Sequence, residues 1–381
     1  MDILGIPGVV VDFAIFKVLP FIAVLTLVVF IHELGHFLVA RWNGITVEAF
    51  SVGFGPELFG WNDSKGTRWR VAAIPLGGYV RFMGDMNASS QTDHEALRDL
   101  TPEEREGAFE TKALWRRALV VAAGPIANFI LAIVLYFGLF VSMEEVRVAP
   151  VVGTVTEGSP AAEAGILPGD RVTAIDGTPI EKFRDMQPIT MMADGEPLTF
   201  TIQRNGAEQN IVAAPRITER KDPFGNTYRS ALVGIAPDSD PANITRVRLG
   251  PVEAFEKALS RTWLVVAGTG NFIAELFGGK QDARELRGPL GIAQITSQVA
   301  TLGILSLISL AAVLSVSIGL MNLLPVPMLD GGHLMFYAIE AVRGRAMSEK
   351  NQERAYRVGL AMVLAMMLFA TSNDIVRSLF T

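Results

Sequence analysis

The sequence contains no cysteine. That excludes a disulfide framework, a thiolate metal site and a thiol nucleophile, so any metal must be held by nitrogen and oxygen donors. Histidine is scarce as well, four among 381 residues, which makes the position of each one informative. A basic excess is lacking: the formal charge is -6, which argues against a nucleic-acid partner. A clean secretory signal is missing too. The opening charges are Asp2 and Asp12, and no small-residue cleavage site precedes HELGH, so the first apolar run is read as retained.

What is abundant is hydrophobicity. Half of the residues are hydrophobic, too many for one soluble core of this length. A bilayer-spanning helix takes about 20 apolar residues. Four stretches qualify: about Phe16 to Ala40, Ala118 to Val141, about Leu302 to Leu329, and the shorter Ala355 to Thr371. The expected fold is therefore an α-helical polytopic membrane protein with four transmembrane helices.

The polar segments between the spans carry strand signals. RWRVAAIPLGGYVRF (Arg68 to Phe82) reads as a hairpin near the membrane with Gly77-Gly78 as its turn, within membrane-associated strands over about residues 45–85. The acidic part that follows holds His94, read as a solvated surface residue. Residues 150–215 read as a small α+β soluble domain. Strands around Val151 to Thr156 and Arg171 to Ile175 frame a short Ala-rich helix, and two more strands join at Asn205-Gly206. Residues 216–300 read as an extension with further strands and an amphipathic surface helix from Pro251 to Phe277. On this division, residues 1–143 and 301–381 are two halves of one membrane core.

Orientation follows from Lys and Arg near span ends. Arg41, Lys112, Arg116, Arg117, Arg343, Arg345, Lys350 and Arg354 fall on one side; Lys17, Arg147, Arg287 and Arg377 fall on the other. The first side is expected to be cytoplasmic, with the insert and both termini outside.

The chemistry lies in VVFIHELGHFLVARW, Val28 to Trp42. Ionisable groups inside a bilayer are costly and need partners. HELGH fits H-E-x-x-H: on a helix His32 and His36 share a face and can hold one zinc ion, while Glu33 can act on a water that the metal polarises. His32 lies nine residues before Arg41, about 13 Å along a helix, which places it inside the bilayer. Zinc needs a third protein ligand. NLLPVPMLDGGH (Asn322 to His333), near the C-terminal end of the third span, offers Asp330 and His333, and spacing alone does not choose between them. Spans one and three run the same way, so both motifs reach the same membrane face. Pro325 and Pro327 break the helix there, as happens where backbone lines a water-containing cavity. Asn322 can bind a substrate carbonyl or a developing oxyanion. In the second span, GPIANF places Asn128 as a second buried amide, either packing against a neighbour or touching substrate.

HELGH, GPIANF, an inserted domain and NLLPVPMLDGGH, in that order, resemble the site-2 protease family, most like bacterial RseP-type intramembrane zinc proteases. The resemblance covers nearly the whole chain. It implies that His32, His36 and Asp330 hold Zn2+, that Glu33 is the catalytic acid/base and that Asn322 binds the substrate backbone. It also implies that the hairpin, through Gly78, Tyr79, Val80 and Arg81, offers a strand edge to the substrate. SPAAEAGILPGDRVTAIDG resembles a circularly permuted PDZ domain, which takes an extended peptide or chain terminus by strand addition. The best-known relatives carry two such domains in tandem; here there is one clear copy. The family implies a bacterial inner-membrane endopeptidase with a cytoplasm-facing site and a periplasmic PDZ domain. It would cut single-pass substrates such as a pre-cleaved anti-sigma factor or a remnant signal peptide. Two competing readings are an inactive PDZ-containing adaptor, which would not need Glu33, and a metal carrier, which would need a more polar path than spans two and four provide.

Overall fold

The computed structural model describes residues 18–84, 100–221, 227–278 and 286–380; His94 lies outside them. In chain order the elements begin with α1 (Leu19–Trp42), β1 (Val47–Asn62), β2 (Arg68–Phe82), α2 (Pro102–Gly107) and α3 (Leu114–Ser142). Next come β3 (Glu144–Val148), β4 (Val152–Val155), α4 (Pro160–Ala164), β5 (Arg171–Ile175), β6 (Thr178–Pro179) and α5 (Met186–Met192). They are followed by β7 (Leu198–Arg204), β8 (Ala207–Ala213), β9 (Arg216–Lys221), β10 (Thr227–Leu232), β11 (Ile235–Pro237) and β12 (Ile244–Arg248). The chain ends with α6 (Pro251–Phe277), α7 (Pro289–Ala300), α8 (Ile304–Asn322), α9 (Asp330–Arg343) and α10 (Glu349–Phe380). Residues 1–139 with 252–381 form one compact unit and residues 140–251 a second.

In the first unit, four helices are long and apolar enough to cross a membrane: Leu19–Trp42, Leu114–Ser142, Ile304–Asn322 and Lys350–Arg377. The third stops seven residues short of the end of its apolar run. Pro325 and Pro327 have no N–H to donate and push the residues before them out of helical geometry. The chain turns instead, with Leu324 N–H on the Met321 carbonyl (3.1 Å) and Leu329 N–H on the Val326 carbonyl (3.1 Å). A new helix, α9, then starts at Asp330.

The hairpin differs from the sequence expectation. Its turn lies at Asp63 to Thr67, because the Asp63 carboxylate captures the backbone N–H of Lys65 (2.9 Å) and Thr67 (3.1 Å). The Gly77-Gly78 pair instead folds β2 back on itself: Ala49 to Val52 are flanked by Arg68 to Val71 and also by Gly78 to Arg81. Asp63 further accepts from Trp69 Nε1 (3.1 Å) and from the Arg41 guanidinium at the end of α1. Burial alone would raise the Asp63 pKa, but these donors outweigh it and hold the carboxyl at about 2. The turn is thereby tied to the helix that carries HELGH.

Aromatic packing completes the docking. Phe50 is fully buried, stacked on Trp69 at 4.3 Å and edge-on to Phe37 of α1 at 5.4 Å. The same core includes Val80, Phe82, Phe109, Val120 and Tyr337, so it joins the sheet to α1, α3 and α9. Each such ring contributes about 1.5–3 kcal/mol by burial. At the far end of the unit, Asp374 of α10 is buried and accepts the backbone N–H of Gly291 in the first turn of α7 (2.8 Å), a favourable place for a negative charge.

The second unit is strand-rich. Its main sheet has the order β6-β5-β7-β8, and β4 pairs with β11, β3 with β12, and β9 with β10. The core runs through Val152, Ile166, Val172, Ile175, Phe200 and Ile202 and extends to Val233. Ser159 caps α4 by accepting from Ala162 N–H (3.3 Å). Asp170 is buried and receives both arms of Arg204 at 2.7 Å together with Leu167 N–H at 2.8 Å. Burial opposes its charge, but the guanidinium outweighs that and lowers its pKa.

Candidate metal centre

The periodicity of α1 puts His32 and His36 one turn apart, both buried, with their Nε2 atoms 3.2 Å from each other. Asp330 enters from the start of α9: Oδ2 lies 3.1 Å from His32 Nε2 and Oδ1 lies 3.5 Å from His36 Nε2. A tetrahedral zinc ion with donors at 2.0–2.1 Å sets neighbouring donors about 3.3–3.4 Å apart. The imidazole–imidazole and His32–carboxylate separations fall just below that edge length, and the other carboxylate oxygen lies just above it from His36. Among the described residues these three form the one group able to hold a metal, and Asp330 Oδ2 is buried without a well-formed hydrogen bond. The donor set, two imidazoles and a carboxylate, suits zinc and leaves a fourth position open. His333 is one turn along α9. It lines the same cavity, but Nδ1 faces the Tyr356 hydroxyl at 3.4 Å and the ring stays outside the donor group.

Neighbouring elements orient the ligands. His36 Nδ1–H donates to the Val120 carbonyl of α3 (2.8 Å), which leaves the Nε2 lone pair facing the centre. His32 Nδ1 lies 3.2 Å from the side-chain amide of Asn128, also on α3. Asn128 is fully buried, and its amide faces His32 while it does not line the cavity onto which the donors open. Its own backbone carbonyl accepts from Ser315 of α8 at 2.8 Å. Gly124 lies directly against the imidazoles: a Cβ there would collide with His36 Nε2 and sit 2.8 Å from His32 Nε2. Gly331 and Gly332 have the same character, because side chains there would strike the carbonyls of Leu323 and Val326 in the turn that delivers Asp330.

The donors open onto a cavity of about 270 Å3 lined by Glu33, Asn322, His333 and the strand residues Gly77 to Val80. A Cβ on Gly78 would lie 3.1 Å from Glu33 Cγ, so this strand runs against the carboxylate. The Val80 backbone N–H bonds to Glu33. Met328, also on the wall, adopts φ 85, a conformation disfavoured for a bulky residue and often found beside functional sites. Arg81 lies outside the cavity wall, paired with Glu48 at 2.9 Å.

One contributor was invisible in the sequence. Arg117 reads there as a flanking positive charge. In the fold it is buried, with Nη1 on Glu110 (2.9 Å) and Nη2 on Glu340 (2.8 Å), and its guanidinium lies over Tyr337 at 5.1 Å. It ties α3, which supports both histidines, to α9, which supplies Asp330. Only the presence of an arginine near a span end was available as a signal.

Known proteins resemble this chain over most of its length. The model of peptidase family M50 matches residues 20–366. A protein of Agrobacterium fabrum named "Putative zinc metalloprotease" is 49% identical over 358 residues, covering 94% of this chain and 95% of the relative. A protein of the same name from Rhizobium meliloti is 48% identical, covering 93% and 95%. "Metalloprotease MmpA" of Caulobacter vibrioides is 38% identical, covering 93% and 94%. A PDZ domain structure from Listeria monocytogenes aligns with 24% of this chain and 87% of its own length, at 21% identity and a TM-score of 0.18. With a family match over most of its length and its histidines and aspartate brought together, this chain belongs to peptidase family M50, the site-2 proteases, and is a zinc-dependent membrane metalloprotease.

Proposed function

We propose that the chain is an endopeptidase that cuts single-pass membrane proteins within or near their spans, with His32, His36 and Asp330 as the zinc ligands and Glu33 as the catalytic acid/base. The carrying observation is the convergence of two imidazoles and a carboxylate, with contacts of 3.1 to 3.5 Å, beside Glu33. Zinc held there would act as a Lewis acid toward the scissile carbonyl and lower the pKa of an attacking water. Glu33 takes the proton from that water and passes it to the leaving amine. The Asn322 side chain, at the end of α8 on the cavity wall, orients the substrate carbonyl.

A transmembrane helix has its backbone bonds satisfied internally, so it must unwind before a peptide bond can be attacked. The segment Gly78 to Val80 borders the cavity and can pair with the extended substrate. Val80 already directs its N–H at Glu33, so the strand sets the position of both base and substrate. In the second unit, a cavity of about 460 Å3 lies between α5 (Met186, Gln187, Thr190) and residues 231–236. Its helix-and-strand walls suit a PDZ-type groove for an extended peptide or chain terminus. The cationic span ends support a bacterial inner-membrane location with the metal centre toward the cytoplasm and the second unit periplasmic.

The test uses purified protein with a single-pass substrate carrying a short outer stub. Wild type should cleave it; Glu33→Gln should keep its zinc and fail to cleave; a chelated sample should fail. Substrate binding without cleavage by wild type would overturn the reading in favour of an adaptor.

A further inference from the structure

A second cavity lies on the outer side of α1 and α3, away from the metal centre. It is an open groove of about 530 Å3 whose walls include Leu38, Trp42, Trp115, Leu119, Ile126 and Ile130. The walls are apolar and largely exposed; Trp42 is 87% and Ile130 is 55% accessible. The floor is a close helix–helix contact, because a Cβ on Gly35 would strike the Ala123 carbonyl and lie 2.8 Å from Ala127 Cβ. From Trp115 to Ile130 helix α3 rises about 22 Å. Half of a bilayer, headgroup region included, is about 20–22 Å thick, so the groove runs the depth of one leaflet.

The mouth is different. Both tryptophans sit there, and Trp42 ends α1 where Trp115 begins α3. Indole rings are typical of the headgroup level. The Arg116 guanidinium lies over the Trp115 ring at 5.2 Å. Lys112 Nζ reaches the same corner, 3.6 Å from where a Cβ on Gly44 would stand, next to the groove residue Asn43. The neighbouring cations are neutralised: Arg41 by Asp63, and Arg117 by Glu110 and Glu340. Among the described residues Lys112 and Arg116 have no carboxylate partner. An apolar channel of leaflet length, capped by indoles and two unpaired cations, matches one class of molecule.

We infer that this groove binds one anionic phospholipid, with an acyl chain along α3 and its phosphate at Lys112 and Arg116. A substrate peptide does not fit the same evidence. On α1 the groove residues Gly35, Leu38 and Trp42 point at least about 60° away from His32, Glu33 and His36, at about 100° per residue, while Val39 lies at the boundary between the two faces. No residue lines both the groove and the metal cavity. The lipid instead clasps the outer side of the α1–α3 contact whose inner side holds the imidazoles, since Gly35 and Ala123 adjoin His36 and Gly124. Its binding should stiffen the helix pair.

The experiment reads bound lipid, which is independent of proteolysis. Purified, delipidated full-length protein is placed in nanodiscs of phosphatidylcholine containing a small fraction of phosphatidylglycerol, then analysed by native mass spectrometry. Wild type should retain one phosphatidylglycerol in preference to phosphatidylcholine. Lys112→Ala with Arg116→Ala should weaken retention about thirtyfold, from about 1 kcal/mol per surface cation near lipid phosphate. Ile126→Trp, which fills the groove without touching the Gly35 contact, should abolish it. Zinc content and circular dichroism report that each variant is folded; should Ile126→Trp fail to fold, the two surface substitutions decide alone. Equal retention of the two lipids, undiminished retention in the double variant, or a retained polypeptide mass in place of lipid would overturn the inference.

Discussion

The side-chain amide of Asn128 lies 3.2 Å from Nδ1 of His32, a residue 96 positions earlier in the chain. For His32 to offer Nε2 to a metal, Nδ1 must carry the proton, so the amide must present its oxygen to that N–H. Asn128 Oδ1 is otherwise buried without a partner, and turning the amide gives it one. Asn128→Leu should therefore lower zinc affinity about 10- to 100-fold, the usual cost of losing a partner of a metal-bound histidine. Asn128→Asp, which keeps an acceptor, should retain zinc. Competition with a calibrated chelator measures both, and equal affinity in the two variants would remove Asn128 from the centre.

Gly124→Ala tests the space beneath the imidazoles. The added methyl would occupy the position next to both Nε2 atoms. Alanine suits a helix better than glycine, so helix α3 should persist. Zinc content should fall more than about tenfold. Loss of metal with unchanged helicity by circular dichroism is the expected pair of results.

Arg117 should act on stability. Removing one member of a buried ion group leaves uncompensated charge and costs about 3–5 kcal/mol. Arg117→Ala should lower the thermal midpoint in detergent more than Arg343→Ala, an exposed control on α9. Equal midpoints would mean that the Glu110–Arg117–Glu340 group does not hold α3 to α9.

Acid should loosen the hairpin. Asp63 has its folded pKa depressed to about 2, below the ordinary carboxylate value near 4. A depressed acid stabilises the fold above its unfolded pKa, and that contribution is lost as pH falls through the folded value. Hydrogen-exchange protection across residues 47–82, corrected for the intrinsic pH dependence of exchange, should be flat near neutral pH and fall between about pH 4 and pH 2. In Asp63→Asn the acid step should vanish and exchange should be faster at neutral pH.

The sequence made some of this legible and hid the rest for definable reasons. Apolar runs long enough to span a bilayer mark α1, α3, α8 and α10, because length and hydropathy are local properties. HELGH is legible because residues four apart on a helix share a face. Hydropathy alone runs on to Leu329, but Pro325 and Pro327 mark the break, and α8 ends at Asn322 just before them. Gly77-Gly78 carries the stronger local turn signal, yet the turn forms at Asp63 through hydrogen bonds from its own loop, and the two glycines lie in the fold-back that lines the cavity. The supports of the histidines were beyond reach. One is a backbone carbonyl, Val120, that any residue could supply. The other, the Asn128 amide, meets His32 only through α1–α3 packing, which no local pattern encodes.

The most direct test of the account is X-ray absorption at the zinc edge on purified protein, compared with Asp330→Ala and His333→Ala. Wild type and His333→Ala should show one zinc per chain with two imidazoles and a carboxylate oxygen, and Asp330→Ala should lose the metal or replace that oxygen by solvent. Full occupancy with an unchanged spectrum in Asp330→Ala, or loss of zinc in His333→Ala, would contradict the assignment of Asp330 as the third ligand.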